Sequence, residues 1–208
     1  MSTQLAPTTM TAAEQTALLR VTKEHRLGFR DHILYSIALA TGLREFELEA
    51  LDVGDIYIDP TTSSKTRAVV RLRVFKGAKR EDRSRRRTVQ EVHLPNKLRY
   101  KLEVFWRYKK RAGESLEPDA PLFISKRKRR LSKRMMIEAF HVWQARAGLS
   151  RRHNFHVLRH TALTNLYRLT RDIRVVQRQA RHANIDTTTI YAEPSDEDMS
   201  RAVDALPC

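Results

Sequence analysis

Between His156 and Tyr191 the chain reads HVLRHTALTNLYRLTRDIRVVQRQARHANIDTTTIY. On a helix, His156, Arg159 and His160 fall at i, i+3 and i+4 and share one face. Leu158, Ala162, Leu166 and Leu169 fall on the other side at helical spacing and form a core stripe. The helix is therefore expected to present two imidazoles and a guanidinium on the face not needed for packing. His182 follows, and Tyr191 lies nine residues beyond it. The chemistry suited to this set handles a phosphate. Arginine offers a planar fork of donors that matches phosphate oxygens and stays charged. Histidine moves protons near neutral pH. A tyrosine hydroxyl becomes a nucleophile when a base and a cationic surround activate it. A basic helix with ordinary surface histidines explains any one of these residues, but not the set at this spacing.

The composition points the same way. Forty Lys and Arg face twenty-four Asp and Glu in 208 residues, a formal net charge of +16 with pI near 10.5. Such a surplus calls for a polyanion, nucleic acid first and an anionic membrane surface second. The sequence has no long apolar span, no lipidation motif and no signal peptide, so no membrane partner is expected. Cys208 is the only cysteine, which excludes an intrachain disulfide and a cysteine-based zinc site. No HExxH-like spacing occurs among the eight histidines, so no metal is expected. The expected location is the cytoplasm, with the nucleoid.

The elements that must position these groups follow from pattern. Residues 1–10 read as a flexible start. Thr11 and Glu14 form a capping box, so a helix begins near Ala12 and fades before Gly28. A second helix runs from Phe29 to Ala40, with Ile33, Leu34, Ile37 and Ala38 apolar, and Gly42 stops it. Arg44 follows, then a short helix over 45–51 with Phe46, Leu48 and Leu51 available for packing. From Ile56 to Leu94 the period changes to that of three antiparallel strands, in YID, AVVRLRVF and RTVQEVHL.

The turn between the second and third strands is strongly basic. Lys76, Lys79, Arg80, Arg83, Arg85, Arg86 and Arg87 face only Glu81 and Asp82 there. It is either a solubilising tip or a finger laid along a nucleic-acid backbone, with one lysine delivered to the reacting phosphate. Residues 96–112 form a basic amphipathic helix with Leu98, Leu102, Phe105 and Trp106 inward. A loop and a short strand or extended piece, LFIS, lead to KRKRRLSKR, seven basic residues in nine. Lys126, Arg127, Lys128, Arg129, Arg130, Lys133 and Arg134 there are candidate phosphate contacts. A helix over Met135–Ala147 follows, closed by Gly148. In the tail, Met199, Ala202, Val203 and Leu206 make a one-sided stripe on a short helix that is marginal without a partner.

With these residues placed, the chain resembles the catalytic domain of the tyrosine recombinase (phage integrase) family. The resemblance rests on ATGLREFEL around Arg44, FKGAK around Lys76, HVLRH, and His182 followed by Tyr191. It runs from about Thr11 to the end. It implies a mainly α domain with a small three-stranded antiparallel β-sheet (α+β). It also implies DNA strand cleavage and rejoining with no cofactor. By position, Tyr191 is then the nucleophile that forms a 3′-phosphotyrosyl link. Arg44 and Arg159 clamp the non-bridging oxygens, and Lys76 protonates the 5′-oxygen leaving group. His156 assists proton transfer at the tyrosine, His182 binds the phosphate, Glu47 supports Arg44, and His160 stands behind them.

Two features depart from the family pattern. Where the family has Leu-Gly-His, this chain has Ala180-Arg181-His182. Most members also carry a helical domain ahead of the catalytic one, whereas ten residues precede Thr11 here. The expectation is a short form without that domain, like the fimbrial inversion-switch recombinases, or a catalytic domain cut from a longer chain. Its partners are double-stranded DNA and further copies of itself, as dimer or tetramer. Residues 11–194 would be the catalytic domain and 195–208 a tail helix docking on a neighbouring subunit. The alternative functions are a type IB topoisomerase-like strand passer and a non-catalytic DNA-binding regulator on the same scaffold.

Overall fold

The computed structural model describes residues 8–58, 68–74, 89–182, 184–191 and 203–204. Helix α1 (Ala12–Glu24) opens with the expected capping box: the Thr11 hydroxyl accepts from the Glu14 N–H, and the Glu14 carboxylate accepts from the Thr11 N–H. Helix α2 (Phe29–Thr41) is buried from Asp31 to Ala38, with Ile33, Leu34, Tyr35, Ile37 and Ala38 fully enclosed. It packs against α1, against α4 (Asn96–Arg111) and against α6 (Val157–Thr170). A helix packed on three sides by other helices is a central one, and α2 is the axle of the domain.

Strands β1 (Ile56–Ile58), β2 (Ala68–Leu72) and β3 (Gln90–His93) form one antiparallel sheet in that order. Val70 pairs with Ile56 on one side and Val92 on the other, so one apolar face closes over the core. The architecture is the expected one, mainly helical with a small three-stranded sheet. LFIS is not a strand. Leu122 and Phe123 are buried in a loop joined to the rest by single bridges, Asp52 with Pro121 and Ile124 with Arg130. Helix α5 (Lys133–Arg146) begins two residues earlier than expected, because Ser132 caps it by accepting from the Met135 N–H. No helix among the described residues is long and apolar enough to cross a membrane.

Three short elements position the site: α3 (Glu45–Ala50), α7 (Ile173–Ala180) and α8 (Asp186–Thr189). Between α2 and α3, Gly42 takes a left-handed conformation, φ 67°, and its N–H closes α2 on the Ala38 carbonyl. A Cβ there would stand 3.1 Å from the Leu163 side chain. Gly42→Ala is therefore expected to cost about 1–2 kcal/mol of stability, the penalty for an L side chain in the left-handed region. Urea unfolding measures it; an unchanged stability would mean that the turn is not held in this conformation.

Candidate active site

The turn at Gly42 delivers Arg44 to the N-cap of α3. Three residues on, Glu47 folds back. One carboxylate oxygen accepts the Arg44 backbone N–H at 2.8 Å, and the other accepts the Arg44 Nη1 at 3.2 Å. Glu47 is completely enclosed, while the Arg44 side chain keeps 18% of its surface. Glu47 thus lies against Arg44, the position that the resemblance implied for it.

Arg159 departs from expectation. It is 3% exposed, so it does not lie on a free face. The first two turns of α6 are buried nearly all round, with Val157, Leu158, Thr161, Ala162 and Leu163 also enclosed, because α2 covers one side and α7 another. The end of the expected core stripe fails in the opposite sense. Leu169 is 84% exposed, since the last turn of α6 runs past the core before Arg171 ends it in a left-handed conformation. The Arg159 fork is satisfied by backbone and ring. Nη1 donates to the Gly42 carbonyl, and Nη2 donates to the Ala180 carbonyl at 2.9 Å and to His182 Nε2 at 2.9 Å.

A guanidinium only donates, so His182 Nε2 accepts. The ring proton then sits on Nδ1, which donates to Thr188 Oγ1 at 2.9 Å. Beyond His182, α8 brings Tyr191 back over α6. The aromatic rings form a continuous chain. His156 meets His160 edge-on at 4.7 Å, His160 meets Tyr191 at 5.8 Å, and His182 stacks on Tyr191 at 6.3 Å. Tyr191 is 5% exposed. It shares a small apolar cluster with Leu163, Val176 and Ala180.

Charge opposes burial at Tyr191 and chiefly reinforces it at His160 and Arg159. Burial raises the Tyr191 phenol above its usual range, and the Arg159 and Arg44 guanidiniums pull it back down. Burial lowers His156, with Glu45 acting against that and Arg159, Arg44 and Lys133 adding to it. His160 falls to about 4, through burial first and then His156 and Arg159, and its Nδ1 is buried without a hydrogen-bond partner among the described residues. Arg159 drops to about 10, mainly through burial and the nearby Arg44, and so remains a cation at neutral pH.

Of the other expected residues, Lys76, Lys79, Arg80, Arg83, Arg85, Arg86 and Arg87 lie outside the described residues. Lys126, Arg127, Lys128 and Arg129 are exposed on a tight turn, closed by Ser125 N–H to the Arg129 carbonyl at 2.7 Å, with Lys128 left-handed at φ 56°. Arg130 does a different job. It donates to Asp52 at 2.5 Å and to the Glu49 and Leu51 carbonyls at 3.0 Å each, bracing the turn against the end of α3. Lys133 lies 3.5 Å from Glu45, and Arg134 pairs with Glu138 on the surface. Sequence reasoning missed Thr188, one of three successive threonines with nothing to single it out. It also gave Arg181 no role, although a buried Glu47 needs more counter-charge than Arg44 supplies.

The chain matches the Phage integrase family over residues 8–198. It is 28% identical over 178 residues to the tyrosine recombinase XerC of Neisseria gonorrhoeae, covering 86% of this chain and 52% of that protein. It is 30% identical over 201 residues to XerC of Haemophilus ducreyi, covering 96% and 59%. The chain thus spans between about half and three fifths of the length of these relatives. Its fold is that of the XerA recombinase (TM-score 0.74, 24% identity, 97% of this chain and 66% of that one). The same fold occurs in the XerH site-specific recombinase bound to its difH substrate (TM-score 0.71, 20% identity, 99% and 56%).

Two histidines make the fold acid-sensitive: half-buried His160 in the site and buried His32, which lies apart from it against Thr22 and Leu19. His160 and His32 both fall from 6.5 to about 4 on folding. The unfolded chain takes up those protons first, so their contribution is complete above pH 6.5 and is lost as the pH falls toward 4. A histidine NMR titration should show the His160 ring unprotonated down to pH 5, with the melting temperature declining below pH 6.5. A His160 resonance titrating near 6.5 would contradict this half-buried position beside His156 and Arg159.

Proposed function

This chain belongs to the phage integrase family, and from that premise we propose that it is a site-specific DNA recombinase. It cleaves and rejoins DNA strands through a 3′-phosphotyrosyl intermediate. The observation that carries the reading is the meeting of Tyr191 with Arg159, His182 and His160 in one buried site, with Arg44 acting on the same phenol.

The Tyr191 oxygen attacks the scissile phosphorus, a bond to phosphorus forms, and the bond to the 5′-oxygen breaks. As the non-bridging oxygens gain charge, the fixed cations Arg44 and Arg159 stabilise them, most strongly where water is excluded. Burial keeps the resting phenol protonated. A base must therefore take its proton, and His156 assists that transfer from behind the His160 ring, which is the one that meets the phenol. His182 holds a phosphate oxygen. Lys76 gives its proton to the departing 5′-oxygen. The phosphotyrosine ester keeps the energy of the broken bond, so a 5′-hydroxyl closes the strand by the reverse step.

Residues 11–194 form the catalytic unit in this reading, and the basic residues of 126–129 and 76–87 follow the DNA backbone. The protein works as a dimer or tetramer on double-stranded DNA, with the 195–208 tail reaching a neighbouring subunit.

Covalent trapping tests the proposal. Wild-type protein incubated with nicked duplexes should give an adduct that survives SDS, and Tyr191→Phe should give none. Arg44→Ala should slow adduct formation by about 100- to 1,000-fold, the usual loss for one oxyanion donor. Native sizing of the same complexes should show two or more protomers per duplex. Salt-sensitive DNA binding with no adduct would favour a non-catalytic regulator.

A further inference from the structure

Arg181 occupies a conformation that suits glycine. It ends α7 at φ 56°, ψ 45°, and the next N–H, that of His182, bonds to the Gln177 carbonyl at 3.1 Å. A non-glycine residue is strained there, so its side chain should offset that strain. That side chain is 7% exposed and runs to α3, where Nη2 donates to Glu47 at 2.5 Å. The second guanidine contact, Nη1 to the Gln179 carbonyl, is long at 3.4 Å, and the buried Nε has no partner among the described residues. The strong bond is the one to Glu47.

Glu47 thus has two arginines, and they are unequal. Arg181 holds one carboxylate oxygen at 2.5 Å, while the Arg44 guanidinium reaches the other at 3.2 Å through a single nitrogen. A completely buried carboxylate is costly unless paired. With Arg44 as its only cation, Glu47 would draw that guanidinium into a two-pronged pair, using the donors and the charge that a phosphate needs. With Arg181 present, three guanidiniums (Arg44, Arg159 and Arg181) face one carboxylate, and positive charge is left over. The mutual repulsion reaches Arg159, which both Arg44 and Arg181 destabilise. A bound phosphodiester relieves it.

We infer that Arg181 is a positioning residue: its guanidinium takes the stronger share of the buried Glu47 carboxylate, so that Arg44 is held there through one nitrogen only and keeps its remaining donors for the scissile phosphate. It also ties the turn that carries His182 to the helix that carries Arg44. The inference rests on the recombinase reading above.

The test is single-turnover adduct formation on a nicked duplex at saturating protein, with DNA affinity and melting temperature measured in parallel. Arg181→Gly, which relaxes the backbone, should bind DNA like wild type but form adduct on the order of 10-fold more slowly, less than the loss for a phosphate-contacting donor. Arg181→Lys should recover most of that rate. Glu47→Gln combined with Arg181→Gly should be no slower than Glu47→Gln alone, because the two residues act as one unit. Arg181→Gly cleaving at the wild-type rate would overturn the inference while leaving the recombinase reading intact. Equal losses of rate, affinity and melting temperature in both Gly and Lys variants would overturn it in favour of a purely structural tie. A wild-type protein that forms no adduct would overturn both.

Discussion

A buried guanidinium holds the site together. Arg159 sits where two helices end, bonded to the carbonyl of Gly42 after α2 and to that of Ala180 at the last residue of α7. Helix C-termini leave carbonyls unpaired and carry partial negative charge. A cation placed between two of them satisfies both ends and is stabilised in return. This offsets much of the cost of taking the charge out of water, a cost visible in its fall to about 10. The same fork reaches His182. One side chain therefore fixes the turn before Arg44, the end of α7 and the ring after it.

The remaining charges are organised by carboxylates that face inward. Glu47 joins α3 to the turn after α7. Asp52, just beyond α3, acts in the same way: it pairs with Arg130 and Arg73 and so anchors the exposed 126–129 turn next to α3. Each pairing removes an arginine from the pool available to a ligand, and each sets the direction of the cations that remain. Net charge alone says that the protein is attracted to a polyanion. Which cations can touch one is decided by these inward carboxylates.

Much of this was legible in the sequence. The capping box at Thr11, the stop at Gly42 and the apolar run of α2 follow from local rules, and the structure has them at those residues. The grouping of Arg159, His160, His182 and Tyr191 was visible as spacing. Their burial was not, because periodicity assigns a helix one inward face, whereas α6 is covered from two sides at its start and from neither at Leu169. Arg130 looked like its basic neighbours, since nothing local announces a partner 78 positions away. Arg181 was visible only as an exception to a glycine. Its partner Glu47 lies 134 positions upstream, and only the folded arrangement of α7 and α3 brings the two together. Local chemistry reads out of sequence; long-range pairing of like-looking charges does not.

The most direct measurement of the Arg159 junction is the tautomer of His182, read from the ring ¹⁵N shifts of labelled protein near neutral pH. A guanidinium donating to Nε2 leaves the proton on Nδ1. The expected result is an Nδ1–H ring in the wild type, with that preference lost in Arg159→Lys. A wild-type His182 carrying its proton on Nε2 would contradict the junction, and with it the account of how the site is held.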